Sequence, residues 1–447
     1  MYRVPLLELK DSVKSRLEQY FQFRELGTNW RTEILAGGTT FVTMAYIIFV
    51  NPAILHETGM PLAAVVAATC LCAAFGSLLM GAFARYPIAL APGMGLNAYF
   101  TYTVVKAMSV PWETALGAVF ISGIAFLILT AVGVRQMIVS AIPHELYAAV
   151  AEGIGLFIAL IGLRNAGIIV ASQETLVTMG NLRHPDTLLA IAGLLIIAAL
   201  FAWKVRGAIL LGILATTALG IAFGRVHWQP QSYSFRDITA TALHLNIRGA
   251  LSYGLIEIVF VFLFVDLFDN VGTLVAVGKQ ARLFDAAHEI PRINRILYSD
   301  AAATVVGSLA GTSTVTSYIE SAAGVAAGGR SGVTAITTGV LFFAALFVAP
   351  LVGAIPTAAT APALIVVGSL MIAHAAEIPW SDPLISIPAF LIILTIPLTF
   401  SIANGLAFGF TAYVILKIAR GEFRSVSWLV YALAALFIAR FIYLGAG

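Results

Sequence analysis

Long apolar runs separated by short polar segments recur along the chain from Thr32 to the C-terminus. A helix needs about 20 apolar residues to cross the hydrocarbon core of a bilayer. The pattern therefore predicts an all-α polytopic membrane protein with two sets of seven spans. These are predicted at 32–51, 62–83, 88–105, 113–132, 145–163, 187–203 and 207–223, then at 252–277, 296–309, 316–327, 332–352, 360–374, 384–400 and 404–419.

Both ends of the chain carry apolar residues outside these spans. The stretch Trp428–Leu444 is apolar but interrupted by Arg440, and a fourteen-span pattern does not place it. Residues 1–30 fit either an ordinary polar tail or an amphipathic helix on the cytoplasmic membrane surface. The helix is indicated by apolar residues at near-helical spacing among basic ones: Leu6, Leu9, Val13, Leu17 and Tyr20.

The composition agrees with a membrane protein. Hydrophobic residues make up 60% of the chain, charged residues only 11%, and the mean hydropathy is +0.95. A soluble protein carries roughly 25% charged residues. The two cysteines, Cys70 and Cys72, lie two positions apart in one span and so point to different helix faces. The sequence therefore predicts no disulfide, no metal site and no cofactor.

The distribution of lysine and arginine predicts the orientation. With the N-terminus inside, eighteen of these residues fall in inner segments and six in outer ones, with Arg440 unassigned. This excess favours a cytoplasmic N-terminus by the positive-inside rule. Because each half has an odd number of spans, the halves would face opposite ways, as in an inverted repeat.

Two predicted spans are interrupted. Between Arg295 and Arg330, 34 residues must cross and return, whereas two helical crossings need about 40. This segment contains the run SLAGTSTVTSYIESAAG, and residues 85–102 in the first half are broken by Pro87 and by Ala91–Pro92–Gly93. Paired interruptions in the two halves of a transporter indicate its binding site.

Polar residues accompany these breaks. An ionised carboxylate at the bilayer centre costs about 3 kcal/mol on insertion scales, so such residues are usually functional. The long span between the breaks carries a stripe at i, i+3, i+4 and i+7 formed by Asp266, Asp269, Asn270 and Thr273. Asn97 follows the first break and Glu320 the second. We therefore expect Asp266, Glu320 and Asn97 to face one central cavity.

At these residues the sequence resembles the azaguanine-type (AzgA-like) purine permeases of the nucleobase–cation symporters, which are related to the nucleobase/ascorbate transporters. Five motifs in order carry the resemblance: GTNWRTEILAG, TMAYIIFVNP, ALAPGMGLNAYF, FVDLFDNVGTL and GTSTVTSYIESAAG. It implies two inverted repeats of seven spans, a core domain of spans 1–4 and 8–11, a gate domain of spans 5–7 and 12–14, and short strands in spans 3 and 10. It also implies import of hypoxanthine, guanine or adenine with a proton.

The apolar pattern and the lysine and arginine distribution give 1–30 as the N-terminal amphipathic segment, 224–251 as an extracytoplasmic loop and 421–447 as the extra apolar segment. The resemblance assigns the remaining spans, with 31–133 and 252–352 as the core domain and 142–223 and 359–420 as the gate domain. The expected location is the cell (inner or plasma) membrane, with membrane lipid and a purine base as partners and without nucleic acid. The sequence leaves open whether the chain forms a homodimer.

A purine base is flat, neutral and rich in edge donors and acceptors, so its pocket needs carboxylate acceptors, donors and an aromatic or apolar face. The predicted substrate-binding residues are Asp266, Glu320, Asn97, Phe268, Thr316 and Ser317, with Tyr99 and Tyr318 as further stacking candidates. One of two neighbouring buried carboxyls favours its protonated form. Asp266, Asp269 and Glu320 are therefore the candidates for proton coupling, although sodium stays open as the coupled ion.

Other interpretations stand beside these. Ser317 and Glu320 match a helix capping box, while Asn97, Asp269 and Asn270 match structural ties between helices. Alternative functions are transport of another neutral nucleobase or of a small anion on the same fold, a channel, and an intramembrane aspartyl protease. The protease needs two acids on different helices, whereas Asp266 and Asp269 share one. The sequence favours a transporter over an enzyme.

Overall fold

The computed structural model describes residues 14–133, 142–225, 234–252, 256–281, 291–347 and 355–443. The following parts of the predicted segments lie outside the described residues: 1–13 of the N-terminal segment, 226–233 of the outer loop, 253–255, 282–290 and 348–352 of the core domain, and 444–447 of the extra apolar segment. The side chains of Glu257 and Arg440 also lie outside them.

The first half begins with α1 (Trp30–Met44) and α2 (Ile47–His56), which meet at a break, and α3 (Leu62–Leu79), which continues into a π-helical turn (Met80–Ala84). Strand β1 (Leu90–Pro92), α4 (Met94–Ala98) and a π-helix (Tyr99–Ala107) follow. The half ends with α5 (Trp112–Ala131), α6 (His144–Asn165), a hairpin of β2 (Ile169–Ser172) and β3 (Leu176–Met179), α7 (Pro185–Ala202) and α8 (Ala208–Ala222).

The second half follows two short helices, Phe235–Ile238 and Ile247–Ser252. It contains α9 (Ile256–Ala281), α10 (Ile293–Ala310), β4 (Val315–Ser317), α11 (Ser321–Ala326) and α12 (Gly332–Ala345). Then come α13 (Thr357–Met371) with a 3₁₀ turn (Ile372–Glu377), α14 (Pro383–Thr399), α15 (Ile402–Ala419), a 3₁₀ turn (Phe423–Ser425) and α16 (Trp428–Tyr443).

Length and composition make the chain a mostly helical membrane protein. Within the described residues, seven helices are long and apolar enough to cross a bilayer: Trp30–His56, Leu62–Ala84, Trp112–Ala131, His144–Asn165, Pro185–Ala202, Thr357–Glu377 and Ile402–Ala419. Four shorter apolar helices accompany them: Ala208–Ala222, Gly332–Ala345, Pro383–Thr399 and Trp428–Ala439.

The structure differs from the predicted elements in three places. The span predicted at 32–51 is two helices that meet at Ala45 and Tyr46. The β2–β3 hairpin was not predicted. The unplaced stretch at the C-terminus forms α16, which packs against α15, and its Phe437 ring lies 5.5 Å from Phe260 and 6.3 Å from Phe410. These aromatic contacts anchor α16 to the rest of the molecule.

Helices from the two halves pack against each other in two groups. In one group α12 lies against α1 and α3, α11 against α1, and α10 against α3 and α5. In the other, α13 lies against α6, α7 and α8, and α14 against α6 and α15. The close approach of α1 to α12 depends on a small residue. A Cβ at Gly37 of α1 would lie only 2.5 Å from the Cβ of Thr337 in α12.

A buried carboxylate joins α1 to α12. Glu33 is completely buried and accepts hydrogen bonds from the backbone N–H groups of Arg330 (3.0 Å) and Ser331 (3.2 Å). The hydroxyls of Thr334 (2.5 Å) and Thr28 (2.7 Å) also donate to it. The negative charge lies at the N-terminus of α12, where the helix dipole favours it. Glu33 therefore fixes the start of α12 against the first turn of α1.

We expect Glu33→Gln to lower the free energy of unfolding by about 2–4 kcal/mol, because an amide keeps one acceptor oxygen and turns N–H donors toward backbone N–H groups. The measurement is the thermal unfolding midpoint of the detergent-solubilised chain. Glu25→Gln is the control, since that exposed carboxylate accepts a hydrogen bond from the neighbouring Gln22 side chain. Equal midpoints for the two variants would contradict the role of Glu33.

Candidate functional site

Two three-residue strands meet where the two interrupted segments converge. Strand β1 pairs antiparallel with β4, in the register Leu90↔Ser317, Ala91↔Thr316 and Pro92↔Val315. The pairing continues beyond the strands, since the N–H of Gly93 donates to the carbonyl of Thr314 (3.0 Å). Each strand leads toward a short helix, α4 or α11, so the strand pair places two helix N-termini close together.

Side-chain hydroxyls satisfy further backbone groups of the two strands. Ser77 Oγ of α3 donates to the carbonyl of Leu90 (3.1 Å) and accepts from its N–H (3.0 Å). Thr304 Oγ1 of α10 makes the same two bonds with Val315, at 3.0 and 3.1 Å. Non-helical backbone buried away from water persists only with such partners. The two hydroxyls explain how extended segments are stable inside a helical protein.

A cavity of about 330 Å³ lies beside the strand pair. Small-molecule pockets have volumes of about 300–1,000 Å³. Residues of the α1–α2 break, α4, α9 and the segment from Ser317 into α11 line it, together with residues of α6 and α13. Its apolar walls are formed by Met94, Ala151, Ile154, Ile158, Val367, Leu370 and Met371.

Two carboxylates line this cavity. Glu320 lies between β4 and α11, and its Oε1 accepts a hydrogen bond from the Tyr46 hydroxyl at 2.5 Å. Asp269 comes from α9 and interacts electrostatically with Glu320 and with the buried Asp300 of α10. The lining residues include these two acids and neither lysine nor arginine. The cavity therefore offers hydrogen-bond acceptors without a fixed positive charge.

Aromatic and hydroxyl groups complete the cavity. Phe268 and Tyr318 both line it, and the Tyr318 hydroxyl donates to the carbonyl of Pro92, which holds that ring against β1. Ser317 also lines the cavity, and its hydroxyl oxygen has no hydrogen-bond partner among the described residues. The site thus combines carboxylates, a free hydroxyl and aromatic faces, which together suit a flat polar molecule.

The structure brings together four of the seven predicted site residues at the cavity, namely Glu320, Asp269, Phe268 and Ser317. The expectation that Asp266 faces the same cavity is corrected. Asp266 is completely buried and does not line the cavity, whereas Asp269 and Thr273 do. A stripe at i, i+3, i+4 and i+7 covers a wide arc of the helix, and only part of that arc reaches the cavity.

Asn97 and Thr316 also lie away from the cavity lining. Asn97 donates to Asn51 Oδ1 (2.5 Å) and accepts from the Ser313 hydroxyl, and Asn51 in turn donates to Thr312 Oγ1 (3.1 Å). This buried network ties α2, α4 and the segment before β4 together. The structural interpretation of Asn97 as a tie between helices therefore fits its contacts better than a place in the cavity.

The alternative capping box of Ser317 and Glu320 is wrong. Ser317 ends strand β4, and α11 begins only at Ser321. Glu320 is the residue before the helix, but its side chain accepts from Tyr46 and makes no cap hydrogen bond.

The stacking candidate Tyr99 does not line the cavity, and the centre of its ring lies 5.2 Å from that of Phe262.

Two residues of the site were not found from the sequence. Tyr46 reaches Glu320 because the chain leaves the helix between α1 and α2 at Ala45 and Tyr46. Tyr46 belongs to the motif TMAYIIFVNP, but no local sequence pattern links it to Glu320, which lies 274 positions later. The second is Asp300 of α10, which does not line the cavity but interacts electrostatically with Asp269. Across the described residues, no cluster of three or more His, Cys, Asp or Glu has the arrangement for a metal ion.

Comparison with known proteins identifies the family. The model of the permease family Xan_ur_permease matches residues 31–443. The adenine permease AdeP of Escherichia coli (strain K12) is 45% identical over 435 residues, which cover 97% of this chain and 98% of AdeP. The guanine/hypoxanthine permease PbuG of Bacillus subtilis (strain 168) is 44% identical over 440 residues, which cover 96% of this chain and 100% of PbuG.

A solved structure shows the same fold. The transmembrane domain of the cyanobacterial bicarbonate transporter BicA matches with a TM-score of 0.64, covering 86% of this chain and 97% of that one, at 17% identity. At that identity the likeness concerns the fold alone. The resemblance to the AzgA-like purine permeases is confirmed by the family match and by the two relatives. This multi-pass membrane protein belongs to the permease family Xan_ur_permease.

Proposed function

We propose that this chain takes up adenine, guanine or hypoxanthine by proton symport, and that the cavity lined by Glu320 and Asp269 is the nucleobase site. The observation that carries the proposal is two half-buried carboxylates facing one cavity with apolar walls. The relatives add support, because chains that match over nearly their whole length are an adenine permease and a guanine/hypoxanthine permease. In this proposal the carboxylates bind a base and take up and release a proton, and the base itself is not chemically changed.

Each group of the cavity has a role in recognising a purine. The carboxylate of Glu320 accepts from ring and exocyclic N–H groups, and the Ser317 hydroxyl pairs with an acceptor on the base edge. Phe268 and Tyr318 supply aromatic faces for stacking. Asn97 and Thr316 support this arrangement without lining the cavity, Thr316 through its pairing with Ala91 and Asn97 through its hydrogen bonds. The buried Asn97 network holds the helix that follows β1.

Asp269 is the residue that we infer to carry the coupled proton. It faces the cavity with Glu320 and interacts electrostatically with a third carboxyl, that of Asp300. Clustered acids in a medium of low dielectric cannot all ionise at once. A proton on Asp269 removes one negative charge when the base enters. Release of this proton toward the inside of the cell couples proton entry to the entry of the base.

The architecture that we propose is fourteen crossing units in two inverted repeats. A twofold relation between the halves is supported by two observations. Ser77 in the first half and Thr304 in the second each make the same two hydrogen bonds to one strand residue, and the two strands pair antiparallel. The two packing groups support a division into a core domain (31–133 and 252–352) and a gate domain (142–223 and 359–420). Movement of the core against the gate would expose the cavity to each side in turn.

The distribution of basic residues supports insertion in the cell membrane with the N-terminus in the cytoplasm. A small anion is a poorer candidate substrate. The lining residues include two carboxylates and neither lysine nor arginine, so an anion would enter a field of its own sign.

Uptake by the purified chain in proteoliposomes tests the proposal. We expect saturable uptake of radiolabelled adenine, guanine or hypoxanthine that increases when the outside is made more acidic than the inside. Unlabelled purines should compete for uptake, and bicarbonate and sulfate should not. Absence of saturable uptake of all three purines, or uptake that does not respond to an imposed pH gradient, would overturn it.

We expect Tyr46→Phe to raise the KM for uptake roughly tenfold while leaving the maximal rate within about threefold. A hydrogen bond to a charged group contributes about 1.5–3 kcal/mol, and the Tyr46 hydroxyl donates one that orients Glu320. Tyr431→Phe is the control, since its hydroxyl donates to the carbonyl of Phe423 and neither residue lines the cavity. An unchanged KM in Tyr46→Phe would refute the positioning role.

A further inference from the structure

Three arginines gather where α3 ends and α10 begins. Arg85 follows the π-helical turn after α3, and its Nη1 donates to the carbonyl of Tyr20 (2.9 Å). Arg292 immediately precedes α10, and Arg295 lies in its first turn. Helix α10 packs against the π-helical turn Met80–Ala84, which brings the two ends together. Burial of Arg292 and the charges of Arg85 and Arg295 lower the pKa of Arg292, as expected for positive charges that lie close together.

Each guanidinium is held against an aromatic ring. The Cζ atom of Arg292 lies 5.3 Å from the ring centre of Tyr86, and that of Arg295 lies 5.5 Å from Phe83. Arg85 lies 5.1 Å from the ring of Tyr20. A guanidinium that stacks through its face can still use N–H groups at its edge to bind a planar or tetrahedral anion, and it loses little conformational entropy on binding it.

The three positive charges lack a counter-charge within the described part of the chain, because none of them takes part in an ion pair there. Arg85 Nε and Arg292 Nη1 also have no hydrogen-bond partner among those residues. Both residues adopt positive backbone angles, with φ of 64° and 58°. Like charges held together in strained backbone are costly unless an anion compensates them.

Two further features favour a phosphate group. Helix α10 begins at Ile293, and the free N–H groups and dipole of an 18-residue helix attract an anion at that end. Phe83 is 43% exposed beside Arg295, so an apolar surface borders the charged one. A phospholipid, with a phosphate above its acyl chains, has that same order of charged and apolar parts.

We propose that Arg85, Arg292 and Arg295 form a binding site for a phosphate group, presented by the headgroup of an anionic phospholipid or by free inorganic phosphate. The site lies outside the nucleobase cavity and does not depend on the proposed transport function. A bound phosphate would lock the start of α10 to the end of α3, next to the segment that carries Tyr20.

Native mass spectrometry of the full detergent-solubilised chain tests the site. Phosphatidylglycerol and phosphatidylcholine are the two lipid probes, and inorganic phosphate is added in a separate titration of the thermal unfolding midpoint. We expect preferential retention of phosphatidylglycerol, with affinity lowered by about tenfold or more in Arg292→Gln/Arg295→Gln. The control is Arg24→Gln/Arg424→Gln, which removes the same charge elsewhere and should retain wild-type affinity.

If inorganic phosphate alone raises the unfolding midpoint with the same arginine dependence, the ligand is the free anion and the site stands. Equal affinity of both probes for wild type and the double variant, together with no effect of phosphate, would overturn it. Should the double variant fail to fold, the single variant Arg295→Gln serves, because that side chain is exposed.

Discussion

Glu320→Gln should reduce the kcat/KM for purine uptake by at least about 100-fold. A carboxylate that accepts two N–H groups of a bound base contributes about 1.5–3 kcal/mol for each charge-assisted hydrogen bond. Glutamine keeps the size of the side chain, but it offers one acceptor oxygen and turns its own donors toward N–H groups. It also weakens the bond from the Tyr46 hydroxyl, which now meets an uncharged acceptor.

The measurement is initial-rate uptake of radiolabelled adenine, guanine and hypoxanthine in proteoliposomes, normalised to folded protein. Glu174→Gln is the control, since Glu174 is exposed in the β2–β3 hairpin loop, and we expect wild-type rates for it. Binding by isothermal calorimetry separates recognition from movement. Retention of wild-type affinity and uptake in Glu320→Gln would remove this residue from the nucleobase site.

Asp269→Asn should abolish accumulation of purine against its gradient while labelled purine still exchanges across the membrane. Asparagine resembles the protonated form of aspartate, so the variant is fixed in the state that admits a neutral base but has no proton to release. Uptake should then become independent of pH between about 5 and 8, whereas wild-type uptake increases as the outside is acidified. Counterflow and pH-gradient-driven uptake are measured on the same proteoliposomes.

Asp266→Asn provides a matched control for that result. It makes the same change on the same helix one turn away, but Asp266 does not line the cavity. We expect its uptake, normalised to folded protein, to keep the pH dependence of the wild type. If Asp266→Asn loses proton coupling and Asp269→Asn retains it, the assignment of the proton to Asp269 is refuted.

The periodicity and length of the apolar runs predict most of the helices, because a helix that crosses a bilayer needs a long run without charges. They also predict where the chain is interrupted. Too few residues between Arg295 and Arg330, and the break at Ala91–Pro92–Gly93, indicated non-helical backbone, and strands β4 and β1 lie there. Both signals depend only on the length of a segment or on neighbouring residues. They can therefore be recognised in the sequence without knowing which helices contact each other.

Contacts between distant residues could not be predicted in this way. Tyr46 and Glu320 are 274 positions apart, and they meet because of a break in α1–α2 and the end of a strand. Whether Asp266 or Asp269 faces the cavity depends on how α9 is rotated against its neighbours, which helical spacing does not fix. The capping box failed for a related reason, since strand pairing with β1 extends through Ser317 and delays the helix.

A structure of the full chain determined with adenine or guanine bound tests the central claim most directly. We expect the base to occupy the cavity beside β1 and β4, with its edge within about 3 Å of the Glu320 carboxylate and one face against Phe268 or Tyr318. A base bound at another place, or one in this cavity without a hydrogen bond to Glu320 or Asp269, would contradict it.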